Sequence, residues 1–153
     1  MIHLIPTTTA MEEFGHALAC VCYPRSILHL SGDLGVGKTT LVRGFLHALG
    51  YPGIVKSPTY TLIEPYQINE RMLYHLDLYR LGDPEELEYL GIRDYLDDEA
   101  ICLIEWPEKG GIVTPTPDVK IQIYHHTEAR LLELEAHSQT GQVIIENLNN
   151  EIM

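Results

Sequence analysis

The sequence predicts an α/β domain: a mixed sheet with parallel strands around a glycine-rich turn, helices flanking it and antiparallel hairpins at its edges. Three observations carry that prediction. Residues 31–40 read Ser-Gly-Asp-Leu-Gly-Val-Gly-Lys-Thr-Thr, set between a short apolar run and a helical stripe. Ala100-Ile101-Cys102-Leu103-Ile104 is an unbroken apolar run, the mark of a strand covered on both faces. Two further pairs of segments alternate as half-buried antiparallel strands do.

Taken in order, Thr9-Ala10-Met11-Glu12 has the form of a capping box. Met11, Phe14, Leu18 and Val21 then make a helical stripe that ends near Pro24. Residues 26–31 form a strand and residues 39–49 a helix, with Leu41, Val42, Phe45, Leu46 and Leu49 at helical spacing and Gly50 at the C-cap. Residues 60–66 and 72–78 read as two strands, turned into a hairpin within 67–71 by Asn69. Asp83-Pro84-Glu85-Glu86 starts a helix that ends near Gly91, and residues 92–96 add another turn or two. Pro107, Pro115 and Pro117 bracket an irregular stretch before a second hairpin of residues 119–125 and 131–137. The tail after about residue 138 fits helix and strand equally. No repeat, low-complexity run or linker divides the 153 residues, so a single domain over 1–153 is expected.

Gly32, Gly37, Lys38 and Thr39 fill the phosphate-loop pattern G-x-x-x-x-G-K-[ST], with a further glycine at Gly35. Glycines let the backbone fold back and aim its N–H groups at phosphate oxygens. The stretch Gly32, Asp33, Leu34, Gly35, Val36, Gly37, Lys38, Thr39 and Thr40 is therefore the expected nucleotide loop. Lys38 would meet the outer phosphates, the Thr39 hydroxyl would ligate Mg²⁺, and the helix that follows would add the positive end of its dipole.

Charge narrows the partners. Ten lysines and arginines face 22 acids, a net charge of −12. Proteins that grip nucleic acid directly are normally basic, because phosphate neutralisation supplies most of that affinity. Any contact with RNA is expected to run through a partner. No apolar run approaches transmembrane length, and the first six residues lack the basic start of a signal peptide, so a cytoplasmic protein without membrane contact is expected. Cys20, Cys22 and Cys102 form no C-x-x-C pair and read as free, largely buried thiols.

A phosphate loop needs acids to hold the metal and orient the attacking water. Glu105 follows the buried run and would emerge at the carboxyl end of its strand, where ligands bind in open α/β sheets. Its plainer alternative is a surface acid after a core strand. Asp77 lies in an alternating segment, with His75 and Tyr79 on its face and Met72, Tyr74, Leu76 and Leu78 on the other. A solvated face competes equally with a functional one there, and His75 by itself reads as structural. Ser57-Pro58-Thr59 stands where such proteins place a switch hydroxyl, or is only a proline-led strand entry. Trp106, the one tryptophan, reads as packing that gains interest beside Glu105.

Ser57-Pro58-Thr59-Tyr60, His75-Leu76-Asp77-Leu78-Tyr79-Arg80, Pro84-Glu85-Glu86-Leu87-Glu88 with Gly91, and Glu105-Trp106-Pro107-Glu108 follow the loop in that order. This series closely resembles the TsaE family over roughly residues 5 to 137. The resemblance implies a small ATPase using ATP and Mg²⁺ that works with two partners, TsaD and TsaB. That assembly attaches threonylcarbamoyl to the adenosine beside the anticodon in tRNAs reading codons that begin with A. ATP hydrolysis would reset the assembly, and tRNA would be met only indirectly. Lys38, Thr39 and Thr40 match the family's loop, Asp77 its motif acid, and Glu105 with Trp106 its glutamate–tryptophan pair. The resemblance makes Lys38, Asp77 and Glu105 the catalytic candidates and Thr39, Asp77 and Glu105 the metal candidates. It links Ser57, Thr59 and Trp106 to switching or partners, and adds Thr8 and Arg130 as weaker nucleotide contacts.

Three other classes share the loop. A small-molecule kinase would add an arginine-bearing lid, for which no insertion is evident. A nucleotide sensor would bind ATP without cleaving it. A guanine-specific switch requires an Asn-Lys-x-Asp base reader, which the sequence lacks.

Overall fold

The computed structural model describes residues 1–58, 60–96 and 99–152. The chain runs β1 (Ile2–Ile5), α1 (Thr8–Val21), β2 (Ile27–Ser31), α2 (Lys38–Ala48), β3 (Ile63–Ile68), β4 (Arg71–Asp77), α3 (Glu85–Tyr89), α4 (Ile92–Leu96) and β5 (Ile101–Glu105). A 3₁₀ segment (Pro107–Val113), β6 (Val119–His126), β7 (Ala129–Ala136) and α5 (Gln139–Ile152) complete it. The seven strands form one sheet in the order β1-β7-β6-β2-β5-β4-β3. β6, β2, β5 and β4 are parallel neighbours, while β1–β7, β6–β7 and β3–β4 pair antiparallel. The expected mixed α/β sheet is what forms.

Helices cover both faces, so the central strands read as apolar runs rather than alternating ones. Along β5, Ile101 and Leu103 join the core under α1, α2 and α5, whereas Cys102 and Ile104 join the core under α3 and α4. β4 divides likewise, with Leu73 on the first side and Tyr74 and Leu76 on the second. By that parity His75, Asp77 and Glu105 share the α1/α2 side of the sheet. They are buried there, at 0%, 6% and 3% exposed, so the solvated-face reading of β4 is corrected. Tyr79 lies beyond the strand, borders the same cleft as Asp77 and Glu105, and sets its ring centroid 5.1 Å from that of Trp106.

Two glycines bring α1 and α2 into backbone contact. A Cβ on Gly15 would stand 2.1 Å from the Leu41 carbonyl oxygen, and one on Gly44 would stand 2.0 Å from that of Glu12. That close approach seats α2, and the loop before it, against the sheet.

Boundaries shift by small amounts. α1 is capped by Thr7, whose Oγ1 accepts from the Ala10 N–H at 3.0 Å, and the expected box beginning at Thr9 lies inside the helix. Asn69 turns the β3–β4 hairpin with φ of 57°, and Gly50 closes α2 with φ of 99°. The first strand of that hairpin begins at Ile63, not at residue 60. The tail is helical and packs Ile144 and Leu148 into the core. Cys102 is buried, but Cys20 is exposed, against the expectation of largely buried thiols.

Candidate active site

β2, β5 and β4 end together: Leu30 pairs with Glu105, and Glu105 pairs with Asp77. The loop leaves β2 at this carboxyl edge and returns as α2. Gly32, Gly35 and Gly37 have φ of 150°, 76° and 115°, a region only glycine enters cheaply. A Cβ on Gly32 would also stand 2.6 Å from the Ile123 carbonyl oxygen. Gly37 caps α2 with no side-chain hydrogen bond, so the first-turn N–H groups of an 11-residue helix keep no side-chain acceptor. Open N–H groups and the dipole together make an anion site.

Lys38 is buried at this start. Its ammonium donates to the carbonyl oxygens of Gly32 and, at 3.3 Å, Asp33, and lies 4.1 Å over the Trp106 ring. Burial pulls the lysine below its ordinary pKa, and the negative charges of Glu105, Asp77, Glu108 and Asp33 oppose that pull. Trp106 takes up its position through a left-handed backbone, φ 55° and ψ 50°.

Thr39 Oγ1 donates to Glu105 Oε2 at 3.2 Å, and His75 Nε2–H donates to the same oxygen at 2.6 Å. An ionised carboxylate only accepts, which places the imidazole proton on Nε2. Asp77 is held separately: Ser57 Oγ donates to Oδ2 and the Tyr79 N–H to Oδ1, both at 3.1 Å.

These groups border a cleft of about 530 Å³ that Leu34, Gly35, Gly37, Lys38, Thr39 and Thr40 line from the loop, and Ser57, Asp77, Glu105 and Trp106 from the sheet side. Gly35, Gly37 and Thr40 also line an adjoining cleft of about 330 Å³, which holds Thr8 and Arg130. Arg130 Nε donates to the Val36 carbonyl oxygen at 3.0 Å, tying β7 to the loop. Asp33 points outward, and Val36 is buried beneath the loop. Thr59 lies outside the described residues. Arg80 and Glu128 line the two clefts without having been singled out from sequence. Arg80 carries a signal in hindsight, since it ends the segment that contains Asp77. Glu128, in the β6–β7 turn, carries none.

The donor set fits Mg²⁺ brought in with a nucleotide rather than a cage made by the protein. No group of three His, Cys, Asp or Glu side chains gathers around a common point among the described residues. Mg²⁺ commonly takes one or two protein oxygens plus phosphates and waters. Two oxygens adjacent on an octahedral Mg²⁺ lie about 3 Å apart, and Thr39 Oγ1 and Glu105 Oε2 are separated by 3.2 Å.

Comparison with known proteins places the chain in a family. The family profile described as "Threonylcarbamoyl adenosine biosynthesis protein TsaE" matches residues 5–132, from β1 into β7. The chain belongs to the TsaE family. It is 48% identical over 151 residues to the tRNA threonylcarbamoyladenosine biosynthesis protein TsaE of Haemophilus influenzae, covering 95% of this chain and 96% of that one. The TsaE protein of Bacillus subtilis is 42% identical over 105 residues, 69% of this chain and 64% of the relative. The crystal structure of Bacillus subtilis YdiB superposes with a TM-score of 0.86 at 27% identity, covering all of this chain and 96% of that one. The TsaE match thus contains every side chain that borders the loop cleft. No helix among the described residues is long and apolar enough to cross a membrane.

Proposed function

We propose that this chain is a slow, Mg²⁺-dependent ATPase serving the biosynthesis of threonylcarbamoyladenosine in tRNA, as its TsaE relatives are named. One observation carries the reading: Lys38, Thr39, Asp77 and Glu105 converge on one cleft at the carboxyl edge of the parallel strands. The phosphates of ATP would lie on the first-turn N–H groups of α2, with Lys38 turning from the loop carbonyls to the outer phosphate oxygens. The adjoining cleft would take the sugar and base beside Thr8 and Arg130. Mg²⁺, when bound, would neutralise charge on the outer phosphates, held by Thr39 with Glu105 directly or through water.

In hydrolysis a water oxygen bonds to the γ-phosphorus, the bond from that phosphorus to the β–γ bridging oxygen breaks, and ADP, phosphate and a proton leave. Asp77 is the group to orient that water. Ser57 and the Tyr79 N–H fix its carboxylate, and its burial keeps it from swinging into solvent. Positioning and charge stabilisation supply most of the catalysis in this chemistry.

The chain would act in the cytoplasm on the TsaD–TsaB assembly and meet tRNA only through it. The net charge of −12 supports that indirect contact. The test is threonylcarbamoyl-tRNA synthesis in a system reconstituted from TsaD, TsaB and their substrates. Product should stop accumulating after early turnovers when this chain is left out, and Lys38→Ala should not restore it. Unchanged synthesis without the chain would overturn the proposal. A small-molecule kinase would instead be marked by phosphoryl transfer to a metabolite acceptor.

A further inference from the structure

His75 is a buried titratable group in contact with the site that the hydrolysis scheme does not use. Its side chain is fully enclosed, and its Nε2–H donates at 2.6 Å to Glu105 Oε2, the oxygen that also accepts from Thr39. Its other nitrogen, Nδ1, is buried without a hydrogen-bond partner, the one such side-chain atom among the described residues. A buried polar atom without a partner is costly, and native structures hold few of them. An apolar residue would suit the β4 face beside Leu73 better if packing were the only requirement. What the imidazole contributes there is one donor, and that donor is aimed at Glu105.

Glu105 needs such a restraint. It is the last residue of β5, and the backbone turns into a left-handed conformation immediately after it. Thr39 restrains the carboxylate only until that hydroxyl engages a cation. His75 reaches Glu105 from the neighbouring strand β4 and keeps its hold in either case. We propose that His75 is a positioning residue: its Nε2–H clamps Glu105 Oε2 and aims the carboxylate at the cation beside Thr39.

This rests on the ATPase reading above, so the test separates the two. Mn²⁺ is titrated into the ADP-loaded protein and its binding read by electron paramagnetic resonance, alongside phosphate release from Mg²⁺–ATP. His75→Phe removes the donor and keeps a ring. His75→Gln places an amide N–H near the position of Nε2. Loss of a hydrogen bond to a metal-holding side chain commonly weakens metal affinity or activity 10- to 100-fold. His75→Phe should therefore weaken Mn²⁺ binding at least tenfold while ADP affinity without metal stays within about threefold, and His75→Gln should recover most of the loss. Equal Mn²⁺ affinity in His75→Phe and wild type, or no recovery in a folded His75→Gln, would overturn the proposal. Absence of phosphate release by the wild type would instead count against the ATPase reading. Should His75→Phe not fold, ¹⁵N spectra of the wild-type imidazole decide: a proton on Nε2 is expected, and its absence overturns the clamp.

Discussion

Thr39 and Glu105 are 66 residues apart in sequence, and their side chains meet at 3.2 Å. The contact joins the first turn of α2 to the end of β5, so the helix whose N-terminus borders the cleft also carries the hydroxyl that meets the acid. Both oxygens should turn to the cation once it arrives with nucleotide. Thr39→Ala should therefore raise the Mg²⁺ concentration giving half-maximal turnover at least tenfold, and change metal-free ADP affinity little. A Mg²⁺ titration of phosphate release checks this, and an unchanged midpoint would remove Thr39 from the metal's surroundings.

Trp106 should report occupancy of the loop. The only tryptophan lies 4.1 Å from the Lys38 ammonium, and nucleotide phosphates would draw that charge away. Tryptophan emission should shift on adding Mg²⁺–ADP to the wild type. Lys38→Ala should alter the emission of the free protein and remove the shift at concentrations that saturate the wild type. A full shift in Lys38→Ala would show that the cation–ring contact is not what nucleotide disturbs.

Asp77→Asn keeps the shape of the side chain, with its amide oxygen able to accept from the Tyr79 N–H and its amide N–H donating to Ser57 Oγ in reverse, but removes the charge facing the cleft. Phosphate release should fall at least tenfold, within reach of the roughly 10²- to 10⁴-fold that a positioned acid or base typically contributes. The melting temperature should change little. Wild-type turnover in this variant would take Asp77 out of the mechanism.

The contact between α1 and α2 should tolerate no side chain. Gly44→Ala puts a methyl 2.0 Å from the Glu12 carbonyl oxygen, so the helices must separate. Overpacking of this kind costs about 1–3 kcal/mol, enough to lower the urea midpoint measurably. Because α2 carries the loop, nucleotide affinity should fall as well. A variant as stable as the wild type would mean that the helices slide apart freely.

Acid should weaken the fold through His29. Burial is the main cause that holds its pKa at about 4 rather than 6.5, although its Nε2–H donates to the Pro115 carbonyl oxygen at 2.8 Å. Lys120 and His137 push in the same direction as burial. The unfolded chain therefore binds a proton that the folded chain refuses. The contribution is whole above about pH 6.5 and is lost as pH falls towards 4, on the order of 3 kcal/mol in all. His29→Gln should lose less stability than the wild type between pH 7 and pH 5 in urea titrations. Parallel losses would assign the acid sensitivity to other groups.

The loop, β5 and both hairpins could be read from sequence because each is written in local pattern: glycine spacing, an unbroken apolar run, or alternation around Asn69. The cap at Thr7 could not, since Thr7 and Thr9 differ only in how the chain enters from β1. Gly15 and Gly44 gave no signal because their purpose lies in a helix–helix approach that neither helix encodes alone. The meeting of His75, Asp77 and Glu105 depends on β4 pairing with β5 across the intervening α3 and α4, which alternation within one strand cannot reveal. Alternation placed His75 beside Asp77 correctly; the second layer that buries them is tertiary.

The central claim is that this cleft cleaves ATP rather than merely holding it. Multiple-turnover phosphate release by the purified chain with Mg²⁺–ATP, compared with Glu105→Gln, tests it most directly. The account predicts slow but steady release by the wild type and a loss of tenfold or more in the variant, with ATP still bound. Tight ATP binding with no release above the protein-free blank, or equal release by both proteins, would contradict it.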